Sequence, residues 1–122
     1  MRISKRGFAD ICAEVTAKNV SDTLETAKRL NDENGSDFAY NRMLMDAVCT
    51  KLLVKALGFG DDAEELEITK EKFDEAKDKV VGKASDGMDD VAGKLVMMLE
   101  AIHFTALLAK RLFGEETKDE SN

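Results

Sequence analysis

Proline is absent from the 122 residues, histidine and tyrosine occur once each, and there are only two cysteines and eight glycines. Without proline, and with so few glycines, collagen-like, proline-rich and glycine/serine-linker architectures are excluded. A single histidine leaves little for catalysis. There is no Gly-x-Ser-x-Gly elbow and no glycine-rich phosphate loop, and the one histidine would have to serve Cys12 or Cys49 from an apolar setting. Cys12 and Cys49 form no Cys-x-x-Cys pair and sit among apolar residues at helical spacing, so both read as reduced, small core hydrophobes. No run reaches the ~20 apolar residues of a membrane span: Leu95–Ala109 is interrupted by Glu100, His103 and Thr105. With no export signal at the start, the expectation is a soluble, cytoplasmic chain that neither crosses nor lies on a membrane.

Basic residues are outnumbered by acidic ones, 18 to 25. The net charge of -7 argues against direct binding of nucleic acid or anionic lipid, which relies on Lys and Arg neutralising phosphates. The excess acid is concentrated. Residues 61–90 hold twelve acids against five lysines, and residues 115–122 hold four against one, whereas the rest is nearly balanced.

What is plentiful is helical pattern. Apolar residues make up 43% of the chain, which is enough for one core, and Gly, Asn, Ser and Asp fall between periodic segments. Five helices are expected: Ser4–Lys18, Ser21–Asn31 after a break near Asn19, Asp37–Leu57, Lys70–Lys83 capped by Thr69, and Asp86–Phe113 closed by Gly114. The result is an all-α bundle of four or five helices, two long and central, the others shorter and flanking. Residues 1–114 form one domain, followed by a disordered acidic tail at 115–122.

Each long helix is apolar on opposite sides. In the third helix Phe38, Met45, Cys49, Leu52 and Ala56 oppose Tyr40, Met43, Ala47 and Val54; in the last, Met88, Val91, Leu95, Met98, Leu99, Ile102, Ala106 and Phe113 oppose Met97, Phe104 and Leu108. The short helices offer one narrow stripe each. A monomer therefore leaves an apolar face in water, and such faces are interaction sites. Met97, Phe104, Leu108, Tyr40 and Met43 are the expected partner-binding residues, so Met97→Asp or Phe104→Asp should leave a folded monomer while Leu53→Asp unfolds the protein.

The function expected is a non-enzymatic interaction module acting by self-association, as a homodimer, or by docking a protein partner, without a cofactor. Two alternatives stand beside it. Asp61, Asp62, Glu64, Glu65, Glu67, Glu71, Asp74, Glu75 and Asp78 form an acidic face that an inhibitor would use to fill a basic, nucleic-acid-binding groove of another protein. Glu100 and His103 form one Glu-x-x-His unit of the kind that holds metal in helical-bundle enzymes, with Asp46 or Glu14 as further ligands. A lone unit of this kind points first to a local hydrogen bond, and no metal is assigned.

Overall fold

The computed structural model describes residues 1–114, so the expected acidic tail lies outside the described residues. Four helices and one small antiparallel strand pair make up an all-α bundle. In chain order they are β1 (Arg2–Ser4), α1 (Lys5–Arg29), α2 (Gly35–Leu57), β2 (Glu65–Glu67), α3 (Lys70–Lys83) and α4 (Val91–Phe113).

The first correction is that Ser4–Lys18 and Ser21–Asn31 are one helix. Buried positions run Phe8, Cys12, Val15, Asn19 and Ala27, in steps that keep to the helical period throughout. Asn19 resembles a stop only if asparagine is assumed to seek water. Here it occupies a core position and spends its amide on buried partners. Ser4 does cap α1, accepting from the Gly7 amide at 3.0 Å.

The turn into α2 also differs in detail. Asn31, with φ of 56°, takes the left-handed position of this turn, and Gly35 opens α2. Its missing side chain has a packing reason: a Cβ there would collide with the Cβ of Ala27, so α1 and α2 meet closely at this point. Gly58, at φ of 85°, ends α2 in the left-handed conformation that glycine accepts without strain. Thr69 caps α3 through the Lys72 amide. Asp90, not Asp86, opens α4 by accepting from the Gly93 amide.

Sequence periodicity missed both strands, since each is three residues long. Arg2, Ile3 and Ser4 face Glu67, Leu66 and Glu65, and this pairing ties the chain start to the segment before α3. The core runs through all four helices and includes Phe8, Cys12, Leu53, Ile68, Phe73, Val80, Phe104 and Leu108. Phe73 meets Phe113 edge-on at 5.8 Å between ring centres, and α3 borders α4 at Ile102, Thr105, Ala106 and Ala109. Thus α3 covers the C-terminal half of α4. With 14 residues against the 23 of α2 and of α4, it stops about 13 Å short of them at 1.5 Å per residue.

Candidate functional site

Beyond the reach of α3, α2 and α4 border an open groove of about 710 Å3. Phe38 and Met45 of α2 and Val96 and Leu99 of α4 give it apolar walls, while Thr23 of α1, Arg42, Glu100 and His103 supply its polar groups. A ridge continues from it: Val91, Leu95, Leu99 and Ile102 recur at steps of three and four on α4, and all are exposed. On α2, Leu44 and Val48 are exposed as well.

This face is not the one the sequence pattern singled out on α4. Met97, Phe104 and Leu108 are in the core, at 3%, 0% and 0% exposure, so they offer nothing to a partner. Both sides of α4 are apolar, and periodicity does not say which one turns inward. Burial goes to the side carrying Ala101 and Thr105, whose small side chains let neighbouring helices approach. Tyr40 and Met43 are exposed as expected, but Met43 borders a different groove, lined by Ala9, Ala13, Ala17 and Ala47 between α1 and α2.

Behind the α2/α4 groove lies a polar cluster inside the core. Asn19 donates from Nδ2 to Asp46 Oδ2 at 3.2 Å and to Glu100 Oε2 at 3.1 Å. Arg42 donates through Nε to Glu100 Oε1 at 3.0 Å and through Nη1 to Thr23 Oγ1 at 2.9 Å. His103 Nε2 lies 3.3 Å from Asn19 Oδ1, which fixes the ring as a donor through that nitrogen. Glu100 is therefore held by two partners.

Asp46 is fully buried, and its Oδ1 has no hydrogen-bond partner. Desolvation, then the neighbouring Glu100 carboxyl, push its carboxyl up to about 8, and Asn19 and Arg42 only partly counter this. At neutral pH Asp46 is held as the neutral acid. Burial similarly pushes both free thiols, Cys12 and Cys49, up to about 12, which leaves them inert as nucleophiles.

Glu100 and His103 thus meet at Asn19, together with Asp46, whereas Glu14 is drawn away to Arg111 at 2.8 Å. Among the described residues no three histidine, cysteine or acidic side chains gather as a metal site.

The acidic face is partly neutralised from within. Asp62 faces Lys5 and Arg6 at 3.7 Å, Glu65 faces Arg2 at 3.7 Å, Glu67 binds the Met1 amino group at 2.8 Å, and Asp74 faces Lys70 at 3.8 Å. The hydrogen bond from that amino group holds the Glu67 carboxyl below its ordinary value. Apart from Lys70–Asp74, which stands at i,i+4 on one helix, these pairs join segments distant in sequence.

By length and composition α4 as a whole is apolar enough to cross a membrane, although the interrupted run Leu95–Ala109 alone fell short; its most apolar stretch has mean hydropathy 1.6 and is 33% buried. In comparisons with known proteins, no family model, no curated protein and no solved structure matches the chain.

Proposed function

We propose that the chain is a non-enzymatic interaction module that docks a protein partner on the outer surfaces of α2 and α4. The supporting observation is the apolar ridge Val91, Leu95 and Leu99 beside the open groove, left in water because α3 is too short to cover it, with Ile102 at the edge of α3 still half exposed. Burying a side chain of this size contributes about 1.5–3 kcal/mol, so the surface is costly to leave open and favourable to cover.

The acidic-inhibitor reading has less support. Asp62, Glu65, Glu67 and Asp74 already face cations of the same chain, which reduces the field they present to a basic groove. The metal-enzyme reading has less still, because Arg42 and Asn19 engage both oxygens of Glu100.

Site-specific photocrosslinking in native lysate tests the docking surface. A photoreactive residue at Leu95 or Leu99 is expected to give a discrete adduct that persists at ~0.5 M salt, since apolar contacts are not screened. The same probe at Lys79, exposed on α3, is expected to give none. Adducts from position 79 alone, or from neither helix, overturn the reading.

A further inference from the structure

Groove and ridge belong to the same protomer, and this bears on what covers them. Building on the docking surface above, we propose that its occupant is a second copy of the chain, in a two-fold dimer where the α4 ridge of each protomer enters the α2/α4 groove of the other.

Shape is the first argument. A two-fold contact is isologous, so a protomer must present both a feature and its complement. Here the groove walls Phe38, Met45, Val96 and Leu99 adjoin the ridge Val91, Leu95 and Ile102. A foreign helix lying in the groove would leave the ridge in water, whereas a second copy covers both in one step.

Area is the second. Phe38, Val91, Leu95, Val96, Leu99 and Ile102 are between 48% and 83% exposed. At roughly 120–150 Å2 for side chains that are mostly smaller than an aromatic one, they present on the order of 450 Å2 of apolar surface. A standard interface needs about 800 Å2 per partner, some 60% of it apolar, so these six side chains supply nearly all of that apolar share of about 480 Å2, and their neighbours supply the rim.

Charge is the third. Two copies at -7 each repel, yet on α2 and α4 the acids are Asp37, Asp46 and Glu100, of which Asp46 and Glu100 are buried. The acid-rich run at 61–78 belongs to β2, α3 and the segment before them. Asp86, Asp89 and Asp90 precede the ridge, so the proposed contact carries fewer acids than the 61–78 run without being free of them, and like charge opposes association there less than on α3.

Sedimentation equilibrium and light scattering on the full chain, from 1 to 300 µM at about 0.15 and 0.5 M salt, provide the test. A dimer mass is expected at both salt levels. Leu95→Asp and Leu99→Asp are each expected to weaken association about a hundredfold with unchanged helical circular dichroism. Should either fail to fold, Val91→Asp, at the most exposed ridge position, takes its place.

A wild-type monomer at 300 µM, or a dimer indifferent to all three variants, overturns the proposal. Two further measurements on such a monomer separate this failure from that of the docking surface. Binding of an apolar dye, lost in Leu99→Asp, would leave the surface in place for a different protein. Co-sedimentation with neutral phosphatidylcholine vesicles, lost in the same variant, would assign it to a lipid surface. With neither, the docking reading falls as well.

Discussion

The two halves of the bundle use similar residues to opposite ends. Where α3 is present, the interior is apolar: Phe8, Leu53, Phe73 and Phe104 are fully buried, and Phe73 packs against Phe113. Beyond α3 the centre is polar, with Asn19, Asp46 and Glu100 buried together, while Leu95, Val96 and Leu99 lie outside. The polar half is inverted relative to an ordinary core. Stability is therefore concentrated in the covered half, and the half that exposes apolar surface is held in register by hydrogen bonds. A network of this sort contributes specificity more than energy.

The largest effect should come from breaking the covered half. Phe104→Ala removes a wholly buried ring and is expected to cost about 3–5 kcal/mol, read as a fall in the urea midpoint. Phe104→Asp is expected to unfold the chain, not to yield the folded monomer anticipated from the sequence pattern. Leu53→Asp, also wholly buried, should do the same. A folded Phe104→Asp protein would show that the comparison misplaces the core.

The polar half responds next, and with a pH signature. Asn19→Leu keeps the helical period of α1 but removes the amide between two carboxyl groups, at an expected cost of about 1–3 kcal/mol. The Asp46 carboxyl is raised from 3.8 to about 8 in the folded protein, so the folded state holds its proton more tightly than the unfolded chain does. Stability from this group is fully present below pH 4 and is lost as the pH rises through about 8. Asp46→Asn imitates the protonated acid and should flatten that slope, gaining most at pH 8 and little at pH 4. Equal melting temperatures for wild type and variant at both pH values would remove Asp46 from the account.

The sequence shows the covered half better than the inverted one. Caps at Ser4 and Thr69, the stop at Gly58 and the two-sided patterns of α2 and α4 are local signals, and all reach the structure. The side of α4 that turns inward is a tertiary choice, decided by neighbouring helices and not by its own period. Asn19 is the clearest loss, because an asparagine inside a helical stripe reads as punctuation until Asp46, 27 residues on, and Glu100, 81 residues on, are known to meet it. The Glu100–His103 spacing did point at this cluster, first as a local hydrogen bond and only second as a metal unit; the two side chains share Asn19 as their partner.

The smallest effect belongs to the surface pairs that fasten the chain start to the segment before α3. Lys5 and Arg6 both face Asp62 at 3.7 Å, in water and at the long end of ion-pair geometry. Such pairs gain little, because solvent screens them and long side chains lose freedom to form them. Asp62→Asn is expected to shift the melting temperature by no more than about 2 °C, and by less as salt is raised from 0.05 to ~0.5 M. The neighbouring β1/β2 pairing, with Ile68 fully buried behind it, is what holds this end, so Ile68→Ala should exceed Asp62→Asn severalfold. Were Asp62→Asn the more damaging of the two, charge and not apolar burial would be closing the covered half, and the contrast between the halves would have to be redrawn.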